Sequence, residues 1–211
     1  MNKNEPILIA CEESGTVTEA FIKMGFTNVF SCDIMETSGN YPSRHIVGNV
    51  LPILNGNCCF VTSDGVSHKV QTEFSLIIAF PPCTHLAVSG ARWFPEKRAD
   101  GRQQQGIDFF MQFVNCKCNK VAIENPNGIM STLYRKPDQI LQPHWFGDPY
   151  QKATCIWLKG LVKLKPTNMV LGREQKCWKE PPGPNRSKIR SKTYQGIARA
   201  MTIWGTPEGW L

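Results

Sequence analysis

Four short apolar runs fix most of what this chain can become. "PILIAC" (Pro6 to Cys11), "NVFSCDI" (Asn28 to Ile34), "SLIIAF" (Ser75 to Phe80) and "KVAIENP" (Lys120 to Pro126) are strand-length and nearly continuous in apolar character. Strands of that kind are covered on both faces, which is the condition of a parallel sheet between helices. Helical spacing separates them, over Thr16 to Phe26 with Gly25 as its stop, and again over Ile107 to Asn115. "VGNV" (Val47 to Val50) reads as the end of a further strand. The pattern predicts an α/β domain with a doubly wound, mostly parallel sheet.

Two segments depart from the alternation. "NCCFVTSDGVSHKV", residues 57–70, has an Asp64-Gly65 turn between strand-like flanks and is expected to be an inserted hairpin. Residues 173–192, "REQKCWKEPPGPNRSKIRSK", carry seven Lys or Arg against two Glu around a Pro-rich centre, and are expected to form a basic loop without regular structure. "TYQGIARAMTIWG" (Thr193 to Gly205) then returns to helical spacing and closes the domain.

At 211 residues the expectation is a single domain over residues 1–211. No apolar run approaches the roughly 20 residues of a membrane span. The polar stub before "PILIAC" lacks the apolar region of a secretory signal, so a cytoplasmic protein is expected. Nine cysteines is an odd count without a disulfide-like spacing, so thiols are expected. Cys58-Cys59 and Cys116-x-Cys118 lack the paired CxxC of a zinc site, and no metal is assigned. A net charge of +7 favours a polyanionic partner such as nucleic acid or a phosphorylated substrate.

Ligands of doubly wound sheets sit at the carboxyl ends of the strands. The first run ends in "CEESG" (Cys11 to Gly15), a tight turn feeding a helix, and the second in Asp33. Such a turn and acid suit a nucleoside-bearing cofactor whose ribose hydroxyls donate to the carboxylate. There is no GxGxxG and no P-loop, so an adenosyl group without phosphates, as in S-adenosylmethionine, fits better than a dinucleotide. On spacing alone, Asp33 and Gly15 serve equally to end a strand and cap a helix.

"FPPCTH" then places Cys83 directly after two prolines. A thiolate is useful where a target carbon is too electron-rich to be methylated directly. Cytosine carbon 5 is such a target, because thiolate attack at carbon 6 makes carbon 5 a carbanion-like centre. An isolated cysteine is as often a buried structural thiol, and an isolated Glu124 in "IENPNG" as often ends a strand. Together they pair a nucleophile with an acid that can hydrogen-bond or protonate cytosine ring nitrogen 3.

In this order the motifs resemble those of the cytosine carbon-5 DNA methyltransferase family. "ILIACEESG" is similar to its cofactor loop, "VFSCDI" to its ribose acid, "GNV" to its adenine-reading turn, "AFPPCTHLAVSG" to its nucleophile loop and "IENP" to its acid, 41 positions after Cys83. "YQKATCIWL" and "YQGIARAM" match the last two motifs more weakly. The resemblance implies the Rossmann-like fold of S-adenosylmethionine-dependent methyltransferases and S-adenosylmethionine as cofactor. It implies Ala10, Cys11, Glu12, Ser14, Gly15, Asp33, Ile34, Asn49, Val50, Pro81 and Gln195 around that cofactor. Cys83 would be the nucleophile and Glu124 the acid, with Asn125, Gln151 and Lys152 completing the catalytic set. Pro82, His85, Arg92, Arg98, Arg186, Lys188 and Arg190 would meet the substrate, the residues from Thr84 to Arg102 forming a lid.

Two departures bear on the partner. In "QKATC" Ala153 and Cys155 stand where the family has the arginines of its QxRxR motif. Only 43 residues separate Gln151 from Gln195, too few for an ordinary target-recognition domain. The missing recognition domain favours a free cytosine nucleotide, whereas seven cations in one loop favour a continuous phosphate backbone. DNA is the expected substrate, engaged by the basic loop or with recognition supplied by a partner, and a free cytosine nucleotide is the alternative of the same chemistry. A methyltransferase fold without activity, kept as a nucleic-acid-binding or regulatory module, is the alternative of another class. An amine methyltransferase is disfavoured, since no aromatic follows Pro-Pro to stack on a base.

Overall fold

The computed structural model describes residues 2–183 and 186–211, with backbone alone at Cys177 and Trp178. In chain order the elements are β1 (Ile7–Ala10), α1 (Thr16–Lys23), β2 (Val29–Asp33), β3 (His45–Val47), β4 (Cys58–Val61), β5 (Ser67–Val70), β6 (Leu76–Ala79), α2 (Phe94–Ala99), α3 (Arg102–Asn115), β7 (Val121–Asn125), α4 (Met130–Leu133), β8 (Gln139–Leu141), β9 (Thr154–Lys159), α5 (Lys176–Lys179), α6 (Arg186–Ser191) and α7 (Gln195–Met201). Seven strands form one sheet in the order β3-β2-β1-β6-β7-β9-β8, in which β9 alone runs against the others.

The apolar runs are continuous because each strand feeds two cores. Leu8, Phe30, Ile77, Val121 and Ile123 point to one face, against Phe110 and Phe113 of α3. Ile7, Ile9, Val29, Leu76, Ile78 and Ala122 point to the other, against Val17 and Phe21 of α1 and Ile197 and Met201 of α7. This is period-two alternation with both faces buried. At α7 the packing is close enough that a Cβ on Gly196 would meet the Phe146 carbonyl oxygen at 1.8 Å.

The hairpin expected at residues 57–70 is β4 paired with β5 in a separate two-stranded sheet. Its Phe60 and Val70 join the α3-side core, and Phe60 stacks on His68. Elsewhere the boundaries move. The third strand lies at His45–Val47 and not at Val47 to Val50: the chain leaves the ladder at Gly48, whose N–H donates to the Asp33 carbonyl. Helix α1 ends at Lys23, and Gly25 stops it as expected, in the left-handed conformation (φ 85°); Phe26 beyond it folds back onto Phe21 at 5.1 Å between ring centroids. The basic segment is not irregular throughout, since α5 and α6 form within it. Pro184 and Asn185 of that segment lie outside the described residues.

No helix among the described residues is long and apolar enough to cross a membrane. The eight described cysteines are free thiols, and no cluster of three or more metal-ligating side chains occurs among the described residues.

Candidate active site

Strand register carries the chemistry to one line. Ala10 pairs with Cys32 on one side and with Ala79 on the other, and Ala79 pairs with Ile123. The next residue of each strand, Cys11, Asp33, Phe80 and Glu124, therefore comes level at the carboxyl edge.

On the β1 side the turn after Ala10 is shaped from within. Gly15 adopts the left-handed conformation (φ 65°) immediately before α1, where a residue with a Cβ is strained. Glu12 is buried, and its carboxylate accepts from the N–H groups of Val17 (2.5 Å) and Thr18 (3.2 Å) and from the Thr18 hydroxyl (2.6 Å). Burial pushes the Glu12 carboxyl up, and the hydrogen bonds from Thr18 and Val17 oppose it. The protein's own carboxylate thus fills the anion position at the start of α1, which leaves no place there for a ligand phosphate. Ser14 bonds to Thr16, 3.0 Å between the hydroxyl oxygens, inside the same turn.

At the end of β2, Asp33 Oδ1 accepts from the Met35 N–H at 3.0 Å, and Oδ2 has no partner among the described residues. Ile34 beside it is exposed, as is Val47, which pairs with Asp33 on β3, so a small apolar surface is open at this strand end. Asn49 is exposed and accepts from the Leu51 N–H, and Val50 is buried beneath it. An open apolar surface, a carboxylate oxygen and a loop closed to phosphate fit a nucleoside carried without phosphates.

On the β6 side the loop of Cys83 is fastened to the loop after β7. Asn125, 1% exposed, donates through Nδ2 to the Pro81 carbonyl at 2.8 Å. Val88 N–H donates to Asn127 O and Ile129 N–H to Leu86 O, each at 3.0 Å, and Ala87 bridges to Gly128. This zipper ties the loop that carries Cys83 to the loop that follows Glu124. Burial and then the Glu124 carboxylate push the Cys83 thiol up, while Lys152 and Arg190 pull it down. Burial pushes Glu124 up, against Lys152. The pair is one in which the acid holds its proton more tightly than in water and the thiol is not spontaneously ionised.

Replacing Asn125 by alanine leaves the Pro81 carbonyl buried without a donor. A cost of about 1–3 kcal/mol follows, read as a melting temperature lower by several degrees at about 2–4 °C per kcal/mol. An unchanged melting temperature would show that this bond holds nothing in place.

The lid is folded. A 3-10 helix at Val88–Trp93 leads into α2. Arg92 lies over the Trp93 ring at 4.8 Å, and Arg98 lines a surface groove with Gln103, Gln104 and Ile107 of α3. Lys97 differs from the other cations of this segment: it is 8% exposed and its Nζ donates to the Thr84 carbonyl at 2.6 Å, next to Cys83. His85 is partly buried, its Nδ1 is buried without a hydrogen-bond partner among the described residues, and burial, then Lys97 and Arg102, push its pKa down.

Helix α6 lies across this edge. Lys188 pairs with Glu13 of the β1 turn at 2.7 Å. Lys152 Nζ donates to the carbonyls of Arg190 (2.9 Å) and Lys192 (3.4 Å). Burial pushes Glu13 up, but Lys188 and Ser38 outweigh it and its net shift is downward. Arg186 donates to the Glu180 carbonyl, which stiffens the approach to the helix.

The structure therefore gathers Cys83, Glu124, Asn125, Lys152 and Arg190 at one edge, and Glu12, Ser14, Gly15, Asp33, Ile34 and Asn49 along the same edge. It does not bring in the side chain of Gln151, which is exposed and whose N–H donates to Glu174 O, or that of Gln195, which is exposed at the start of α7. Pro82, Arg92 and Arg98 face solvent. Glu13 is a site group the sequence does not mark, and Lys97, expected as a cation of the lid over the substrate, is instead buried against the Thr84 carbonyl. For Lys97 a signal existed, since Phe94 and Lys97 are three apart on a short helix and both are buried.

The chain matches no family model and no curated protein. Among solved structures it is similar to one from E. coli described as a "putative DNA modification methyltransferase encoded within prophage", at a TM-score of 0.51 and 15% sequence identity. The match covers 85% of this chain and 56% of that one, so this chain spans little more than half the length of the structure it resembles. At that identity the likeness establishes architecture: a mostly parallel seven-stranded sheet with flanking helices, the α/β Rossmann-like fold of the methyltransferase type.

Proposed function

We propose that this protein is an S-adenosylmethionine-dependent methyltransferase acting on carbon 5 of cytosine in DNA through a covalent adduct with Cys83. The observation that carries the reading is the set of hydrogen bonds that fastens the loop of Cys83, after β6, to the loop that follows Glu124, after β7. Asp33 would receive the ribose hydroxyls and Ile34 would lie against the adenine, in a loop that Glu12 closes to phosphates. When bound, the cofactor supplies a methyl group on a sulfonium centre, an electrophile for a carbanion-like carbon.

The chain's own residues make that carbanion. The Cys83 sulfur bonds to carbon 6, and the electron pair of the 5,6 double bond moves to carbon 5. Protonated Glu124 hydrogen-bonds ring nitrogen 3 and offsets the charge that spreads into the ring. After carbon 5 has taken the methyl group, loss of its proton to solvent and expulsion of the sulfur restore the double bond.

DNA is favoured over a free nucleotide by the cations of the lid and of α6, which border the edge on both sides. Labelled cofactor offered with duplex DNA, single-stranded DNA and dCMP tests the reading. Label in carbon 5 of DNA cytosine is expected. Label in dCMP alone would overturn DNA as the substrate. Salt-sensitive DNA binding without transfer to any cytosine would favour an inactive binding module.

A further inference from the structure

The carbonyls of a surface loop are commonly left to water, and a loop held so loosely moves. The loop of Cys83 is built the other way, because each carbonyl from Cys83 to Leu86 has a protein donor. The Cys83 carbonyl accepts from the Leu86 and Ala87 N–H groups within the turn, each at 2.9 Å. The Thr84 carbonyl accepts from Lys97 Nζ of α2 (2.6 Å) and the His85 carbonyl from Gln103 Nε2 of α3 (3.2 Å). The Leu86 carbonyl accepts from the Ile129 N–H at 3.0 Å. Three separate parts of the chain thus hold the three carbonyls that follow the thiol.

Two of these donors are side chains placed at a cost. Lys97 is 8% exposed and Gln103 4%, and Lys97 has no ion-pair partner among the described residues. An ammonium buried against one neutral carbonyl is less favourable than an apolar side chain of the same length, so stability gives no reason for the lysine. Small residues make room for the approach. A Cβ on Gly90 would lie 3.3 Å from Lys97 Nζ, one on Gly106 of α3 would lie 3.3 Å from the Leu86 side chain, and one on Gly128 would strike the Leu86 carbonyl oxygen. Arg102, bonded to both Glu96 and Asp100, ties the end of α2 to the start of α3, so Lys97 and Gln103 meet the loop together.

We infer that Lys97 and Gln103 are positioning residues that clamp the Thr84 and His85 carbonyls and hold Cys83 in its reactive place in the free protein, so that residues 88–99 form a fixed wall of the site and not a lid that closes on substrate. Each acts through the backbone that carries the thiol. A nucleophile already held at the attack position needs no ordering when substrate arrives, and a displacement of about 1 Å can cost about 10²-fold in rate. The inference rests on the reading of Cys83 as the nucleophile of a cytosine carbon-5 methyltransferase.

The test compares wild type with Lys97→Met, which keeps the length without the donor, and with Gln103→Met. Iodoacetamide labelling of the Cys83 peptide is followed in the free protein. Cys118, buried between α3 and β7 at the opposite end of the sheet, is the internal reference. Adduct with duplex DNA carrying 5-fluorocytosine is followed at saturating DNA and cofactor. Each variant is expected to label Cys83 several-fold faster while Cys118 keeps its wild-type rate. Each is also expected to form adduct about 10–10²-fold more slowly at saturation, with the dissociation constants of DNA and cofactor unchanged. Lys97→Arg, which restores a donor, recovers part of both effects. Cys83 labelling at the wild-type rate overturns the inference, since the clamp would then not hold the loop before substrate binds. Cys118 accelerated together with Cys83 overturns it by assigning both residues to general stability, and a wild-type adduct rate overturns the positioning role. A wild type that forms no adduct overturns the methyltransferase reading, while labelling in the free protein still decides the clamp.

Discussion

Cys83→Ala is expected to abolish methyl transfer, by at least about 10⁴-fold as for other covalent nucleophiles, and to leave no denaturant-resistant complex with DNA carrying 5-fluorocytosine. The expectation follows from placement. Cys83 sits beyond Pro81 and Pro82, in a loop closed by the Leu86 and Ala87 N–H groups, which both donate to its own carbonyl at 2.9 Å. The loop holds the thiol at the sheet edge, and Asn125 fixes the Pro81 carbonyl behind it. Its environment is not that of a ready-made thiolate, because burial and Glu124 both raise it. Ionisation is favoured only as Glu124 keeps its proton and as Lys152 and Arg190 bear on the sulfur. Cys83→Ser keeps the shape with a far weaker nucleophile and is expected to fail similarly. Both variants should bind DNA within a few-fold of wild type, because the change lies behind the cationic rim. Transfer that persists in Cys83→Ala would exclude a covalent route, and methyl found on the exocyclic amine would identify an amine methyltransferase.

Much of this site could be read from the chain because it depends on strand ends. A buried strand announces itself by continuous apolar residues, and the polar residue that breaks each run marks the carboxyl edge: Cys11 after Ala10, Asp33 after Cys32, Glu124 after Ile123. What could not be read is held by contacts distant in sequence. Strands β8 and β9 were not assigned, since "QIL" is too short to carry a period and "TCIWLK" was absorbed into a motif. Helix α6 carries no apolar stripe and is held by Lys152 and Glu13, 38 and 175 positions from the residues they grip. Lys97 looks like a surface cation by type, yet it is buried, and Gly90 leaves the room its ammonium occupies: a Cβ there would lie 3.3 Å from Nζ. The sequence likewise offered Glu12 as a cofactor ligand, whereas its carboxylate oxygens bond to the start of α1, so any contribution to a cofactor is through the shape of the turn.

Glu124→Gln separates the acid's two effects, which have opposite signs. In wild type the working form has Cys83 ionised and Glu124 protonated, one proton on the pair. That form is one of the two tautomers of the singly protonated pair, in which burial raises both groups. Its population is constant between the two macroscopic pKa values and falls outside them, so kcat/KM against pH is expected to be bell-shaped. Its acid limb belongs to the first proton lost from the pair, and its alkaline limb to loss of the last proton. Glutamine removes one titration and the negative charge that raises Cys83. The bell should become a single rise toward alkaline pH, with its midpoint below the alkaline limb of wild type, while kcat/KM near neutrality falls by about 10²–10⁴-fold for want of the proton on ring nitrogen 3. The thiol itself should move the other way: iodoacetamide labels Cys83 faster in Glu124→Gln than in wild type at pH 8. Slower labelling would mean that Glu124 does not act on the sulfur, and a bell retained in the variant would assign its limbs to other groups.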